Sequence, residues 1–152
     1  MIKFLPKNEG IDHINIYSKS KFWLGRQLSN FAKTPFECEH GKFQSVEGYW
    51  YWLNSGKIFD ELKDMHGYDA KKFGKSLIKT PVENFDEYIK EAIRCKLRQH
   101  KNIRLSLKKS HLPLTHYYYF GGIEKPDSII YLEKHFWIVK EIERLRILLK
   151  NS

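Results

Sequence analysis

Two charged side chains of this 152-residue chain stand in apolar company. Projected at about 100° per residue, the run 85–99 places Phe85, Tyr88, Ile89, Ala92 and Ile93 on one face of a helix. Asp86, Glu87, Lys90, Glu91, Arg94 and Arg98 take the other side, and Lys96 falls among the apolar residues, at i+4 from Ala92 and i+7 from Ile89. It is the only charge there. An ammonium in low dielectric is costly, and burial drives its pKa towards neutrality. Such a lysine can form a Schiff base with an aldehyde or act as a fixed cation for phosphate. The plain alternative is a lysine whose stem lies along apolar surface while its head reaches water.

Glu47 opens a run that continues Gly48-Tyr49-Trp50-Tyr51-Trp52-Leu53, with Trp50 and Tyr51 at i+3 and i+4. A carboxylate among aromatic rings tends to a raised pKa, which suits a general acid or base near neutral pH. A helix N-terminus pulls the other way, and a glutamate that merely satisfies the first amides of a helix is common. Both readings stay open at this point. His40, His66, His100, His111, His116 and His135 form no metal-binding spacing, so no metal site and no cofactor is expected. P-loop, G-x-G-x-x-G and G-x-S-x-G patterns are absent, which argues against P-loop ATPases, dinucleotide folds and α/β-hydrolases. Tyr117 and Tyr119 share one face of a strand and can stack a base or ribose, or simply edge a core.

The elements that must carry these residues follow from pattern. Strands are expected at Ile2–Leu5 and Ile14–Tyr17, and a hairpin over 35–43 with His40-Gly41 at its turn. Ser45 caps a helix over 46–53, and short helices are expected over Phe59–His66 and from Asp69 to Ile78. The clearest helix runs from Asn84 or Phe85 to Gln99, and Asn102 caps another to Lys109. Leu114–Phe120 reads as a strand ended by Gly121-Gly122, and Ile138, Ile142, Leu145 and Leu149 form the core stripe of a closing helix over 132–149. The order predicts an α+β protein: a single compact domain over 1–152, with a small, mostly antiparallel sheet and several helices.

Composition narrows the partners. Aromatic residues make up 15% of the chain and the net charge is +9, of which residues 71–116 supply +8. A basic field of this strength attracts nucleic acid, a dinucleotide or a phosphorylated small molecule, unless it is only a solubilising face. No apolar run is long enough to span a membrane, the N-terminal residues have no signal-peptide core, and Cys38 and Cys95 fit a reducing compartment, so a cytoplasmic protein is expected.

Leu28-Ser29-Asn30-Phe31, Pro35-Phe36, Gly41, Phe43 and Ser45-Val46-Glu47 together resemble the opening signature of the NADAR (YbiA-like) family: L-S-N-F, P-[FY], a G-x-[FY] turn and S-x-E leading a helix. Arg26 just before it also fits. Ala70-Lys71-Lys72-Phe73-Gly74-Lys75 is similar to that family's A-K-x-x-G-[RK] helix, and Lys96-Leu97 falls where the family has a lysine followed by an apolar residue. Leu114-Thr115-His116-Tyr117, Phe120-Gly121 and Leu145-Arg146 continue the likeness, which spans about residues 22–149. Two departures bear on the substrate more than on the fold or reaction. Tyr51-Trp52-Leu53-Asn54 replaces the usual Q-A-x-K, and Tyr117-Tyr118-Tyr119-Phe120-Gly121 lacks the Asp and Trp of the riboflavin-linked members.

The resemblance implies hydrolysis of an N-glycosidic bond: removal of ADP-ribose from guanine in nucleic acid, or cleavage of phosphoribosylamino-pyrimidine intermediates. It further implies Lys96 as the Schiff-base nucleophile and Glu47 as the general acid/base. Asn30 would hydrogen-bond a ribose hydroxyl or the base, Arg26 or Lys75 would neutralise phosphate, and Trp50, Trp52 and Tyr117 would stack. Ser29, Phe31, His116 and Gly121 complete the expected substrate contacts by their place in the matching motifs. The basic segment favours ADP-ribosylated nucleic acid over a small metabolite. The other classes are a non-catalytic module that binds ADP-ribose or NAD, and a nucleic-acid-binding protein without pocket chemistry.

Overall fold

The computed structural model describes residues 2–152. In chain order its elements are β1 (Ile14–Asn15), α1 (Trp23–Leu28), β2 (Phe36–Cys38), β3 (Gly41–Phe43), α2 (Val46–Asn54), α3 (Gly67–Lys75), α4 (Phe85–Gln99), α5 (Lys101–Lys109), β4 (Leu114–Thr115), β5 (Tyr117–Gly121), β6 (Pro126–Tyr131) and α6 (Phe136–Lys150). The class is α+β. Among the described residues the strands form three two-stranded sheets rather than one: β1 with β4 in parallel, and β2–β3 and β5–β6 as antiparallel hairpins. The chain divides into two compact units, one from residues 1–29 and 105–152, the other from Asn30–Arg104.

The unit of residues 30–104 is built on α2, which meets β3, α3, α4 and the 3-10 turn Asp60–Asp64. Ser45 sits in extended backbone before α2; its Oγ accepts the Gly48 N–H (2.9 Å) and donates to the Met65 carbonyl (2.8 Å). That single hydroxyl caps the helix and ties down the 3-10 turn. Gly48 makes the approach possible, because a Cβ there would stand 2.4 Å from the Leu62 carbonyl oxygen. Phe36, Phe43, Val46, Tyr49, Leu53, Leu62, Ala70, Ile89 and Ala92 fill the interior. α4 is fixed to β2 at its far end. Gln99 accepts the Glu37 N–H and donates to the Glu37 carbonyl, both at 2.8 Å, and His100 reaches the Pro35 carbonyl. Arg104 donates to the last carbonyls of α4, those of Leu97 and Arg98, where a cation meets the helix dipole favourably.

In the other unit, α6 packs Ile138, Val139 and Ile142 inward and lies against β4. The Asn15 side chain exchanges two 3.0 Å hydrogen bonds with the backbone of Tyr117, continuing the β1–β4 pairing as a peptide group would. Glu9 is 6% exposed, and its carboxylate accepts from the Asn15 N–H, Ser20 Oγ and Lys21 N–H, so this buried charge is fully engaged.

Several elements differ from the sequence expectation. Residues 2–5 form no strand, and the expected helix Phe59–His66 is instead a 3-10 turn over Asp60–Asp64. The third helix starts at Gly67, with His66 at its N-cap and Asp69 inside the first turn, and ends at Lys75. Leu114–Phe120 is two strands, and α6 begins at Phe136 after a 3-10 turn. α1, too short to show periodicity, and β6 have no counterpart in the expected elements. We expect Gly48→Ala to lower stability by about 1–3 kcal/mol, the usual cost of overpacking, because the obstructing atom belongs to backbone that cannot rotate away. Urea unfolding checks this; a midpoint equal to wild type would show that the turn yields freely.

Candidate active site

Glu47 lies in the first turn of α2. Its own N–H donates to the Asn30 carbonyl at 2.9 Å, so Asn30 meets the helix through its backbone. The next residue, Phe31, accepts the Gly67 N–H at 3.0 Å and so fixes the start of α3. From α3, Lys71 and Lys75 project one turn apart, and the Lys71 ammonium stands 5.8 Å from the centre of the Phe31 ring. α2 and α3 approach closely at Gly74, where a Cβ would fall 2.1 Å from the Tyr51 ring. Burial raises the Glu47 pKa to about 7, against the opposing pull of Lys71 and Lys75. A carboxyl in this state can give or take a proton at neutral pH.

Lys96 is 2% exposed, on the same face of α4 as Ile89 (0%) and Ala92 (0%). Desolvation lowers its pKa to about 7, so near neutrality a large share of the amine is unprotonated. The Glu37–Gln99 exchange holds the turn of α4 that follows it. Trp50 is half-buried, with its ring edge-on to Phe85 at 4.7 Å, where α2 meets the start of α4. Trp52 is 5% exposed, bonded through Nε1 to Asp60 and packed among His40, Phe43 and Tyr49. It is a core residue with almost no face to offer a ligand.

Five of the expected residues belong to the other unit. Arg26 follows Gly25, which has no room for a side chain beside Asn15 and Ser20, and donates to the Ser20 carbonyl at 2.8 Å. Ser29 is 5% exposed. His116 bonds through Nδ1 to the Ile16 carbonyl, and burial lowers its pKa to about 4, so it is a neutral group at pH 7. Tyr117 is fully buried; its hydroxyl meets His13 Nε2 at 2.7 Å, which makes it a core residue rather than a stacking platform. Gly121 marks a β-bulge with φ +88°, a conformation only glycine adopts at ease.

Residue types alone did not reveal the neighbours of Glu47. Lys71 is one of them, and its i, i+4 spacing from Lys75 was the available signal. His13, stacked on Phe4 and bonded to Asp12 and Tyr117, gave no pattern at all. Among the described residues no three His, Cys, Asp or Glu side chains gather as a metal site would, and no helix is long and apolar enough to cross a membrane.

The two shifted groups leave opposite marks on stability. Folded Glu47 keeps its proton up to about pH 7 against 4.5 for the free group, so its contribution to stability falls as pH rises across that window. Folded Lys96 binds fewer protons than the unfolded chain between about 7 and 10.5, so its contribution recovers as pH rises there. In urea unfolding against pH, Glu47→Gln is expected to flatten the falling limb and Lys96→Met the rising one. Unchanged limbs would place both groups in water.

Neither a family model nor a curated protein matches the chain. Among solved structures it is similar to the NMR structure of the E. coli protein YbiA, with a TM-score of 0.65 and 21% identity over 91% of this chain and 84% of that one. At that identity the likeness establishes the fold, and the chain shares the α+β fold of YbiA.

Proposed function

We propose that the chain is an N-glycosidic bond hydrolase that removes ADP-ribose from guanine in nucleic acid, with Lys96 as nucleophile and Glu47 as general acid/base. One observation carries the reading. Two packed helices, α2 and α4, bear a carboxyl and an amine that burial brings to the same pKa, about 7. At neutral pH one fraction of the protein then holds a proton on Glu47 while the Lys96 amine has none, the state that acid-assisted amine attack requires.

Protonated Glu47 donates to the ribose ring oxygen as the C1–O bond opens, leaving C1 doubly bonded to the guanine amino nitrogen. The Lys96 electron pair adds to C1. The Glu47 carboxylate takes a proton from the lysine nitrogen and delivers it to the guanine nitrogen; the C1–N bond breaks, and guanine departs with its amino group restored. C1 is now an imine to Lys96. Water adds there, the C1–lysine bond breaks, and ADP-ribose leaves as an aldehyde that recloses. Lys71 and Lys75 supply positive charge beside Glu47 for a phosphate group. The basic segment 71–116 supports a polyanionic carrier over a small phosphoribosyl-pyrimidine.

The closure of Lys96 favours a second reading, a module that binds ADP-ribose or NAD without turnover. Guanine-ADP-ribosylated oligonucleotide separates the two. Free ADP-ribose is expected with wild type, a loss of about 10²–10⁴-fold with Glu47→Gln, and almost no activity with Lys96→Arg, whose guanidinium cannot form an imine. Borohydride added during turnover should leave an ADP-ribosyl adduct on the Lys96 peptide. An active Lys96→Arg variant, or an adduct on Lys71 or Lys75, would overturn the assignment; tight ADP-ribose binding with no product would support the module.

A further inference from the structure

The unit of residues 30–104 carries a cleft of about 340 Å³ at the opposite end of α2 from Glu47. The end of α2 and its C-terminal turn supply Leu53, Gly56 and Lys57; the loop between α3 and α4 supplies Thr80, Pro81, Val82 and Glu83; α4 supplies Tyr88. Its size is at the low end for small-molecule sites, which fits one nucleotide rather than two. The walls are pinned. The Thr80 N–H donates to the Asn54 carbonyl at 2.6 Å, and the Lys57 N–H to the Trp52 carbonyl at 2.9 Å.

Lys57 is held there with φ 62°, directly after Gly56 at φ +90°. A left-handed lysine costs energy that the adjoining hydrogen bond sustains, and residues held this way cluster at ligand sites. The conformation has a visible effect: the exposed Lys57 ammonium lies 5.3 Å from the centre of the half-buried Tyr88 ring. An aromatic ring with His40 packed against it at 5.4 Å and a cation over it, together with Thr80 and Glu83 in the lining, suits a nucleotide in one orientation. The phosphate would draw Lys57 off the ring, and the base would take the ammonium's place on Tyr88 with its edge towards Thr80 and Glu83.

We propose that this cleft binds a nucleotide two or three positions from the modified one in a single-stranded substrate, an inference that rests on the reading of the chain as acting on nucleic acid. Glu47 and Leu53 are six residues apart on α2, about 9 Å at 1.5 Å per residue. A strand stacked at about 3.4 Å per nucleotide covers that in two to three steps. The substrate would then run along α2, with the scissile bond at its N-terminal end and the cleft-bound base at its C-terminal end.

Two measurements test it on the intact protein. First, an unmodified mixed-sequence DNA tetranucleotide is titrated into the protein while the Lys57 and Tyr88 amide resonances are followed. Shifts at both are expected, with affinity falling about tenfold in Tyr88→Leu. Lys57→Gly removes the charge and accepts the left-handed backbone, so its melting temperature should stay level or rise while affinity falls. Second, the ratio of KM for a modified tetranucleotide, which can reach the cleft, to KM for a modified mononucleotide, which cannot, is compared across variants. Loss of the cleft should raise that ratio about tenfold. Cleavage of both substrates with an unchanged ratio in Tyr88→Leu and Lys57→Gly would overturn the cleft and leave the hydrolase reading standing. Tetranucleotide shifts at Lys57 and Tyr88 without any cleavage would uphold the cleft and reject the hydrolase. Absence of shifts there in wild type would overturn the proposal outright.

Discussion

The candidate chemistry hangs on how the first turn of α2 is tied down. Three separate segments meet there through backbone groups. The Asn30 carbonyl takes the Glu47 N–H, the Ser45 hydroxyl bridges Gly48 N–H to the Met65 carbonyl, and the Leu62 carbonyl fits over Gly48 because no side chain intervenes. Fixed protein acceptors satisfy these amides in place of water. Partial desolvation is what Glu47 registers: its carboxyl is displaced upward although two lysines pull it down. A solvated helix start would leave the same glutamate an ordinary anion.

Glu47 and Lys96 arrive at the same pKa from opposite sides by one cause. Desolvation favours the neutral form of each, which raises an acid and lowers an amine. Hydrophobic burial therefore favours the neutral form of both groups, which is the state the proposed acid and nucleophile need. The cost is stability, since burying either ionised group is unfavourable. It is met by the aromatic and aliphatic packing of the unit's interior, with Phe36, Phe43, Tyr49 and Leu53 on one side and Ile89 and Ala92 on the other.

The parts legible in the sequence are those governed by local rules. Helical periodicity put Lys96 on the buried face of α4, and the Ser45 cap and the His40-Gly41 turn are where local preference places them. What escaped depended on distant partners. Tyr117 looks like a stacking residue until His13, 104 positions earlier, is found holding its hydroxyl. Trp52 looks equally available until Asp60 and three rings close around it. β1 is two residues long and is a strand only because β4, about 100 residues later, pairs with it. Neither propensity nor spacing carries such information, because the competing conformations differ only in tertiary hydrogen bonds.

The two oddities of composition, many aromatic residues and much positive charge, are one feature in space. In the unit of residues 30–104, Lys57 lies over Tyr88, Lys63 over Phe43 and Trp52, and Lys71 over Phe31, all between 5.2 and 5.8 Å from the ring centres. A ring attracts an ammonium through its quadrupole and restricts a side chain that otherwise has many rotamers. It also strips water from the side of the cation that faces the ring. A phosphate approaching the exposed Lys57 would meet a charge already placed and partly dehydrated, so less ordering entropy and less desolvation would oppose the contact. Surface lysines without such rings would give the same net charge and a diffuse field. Lysines set on rings give charge at fixed points, and those points lie beside both ends of α2, at Glu47 through Lys71 and at the cleft through Lys57.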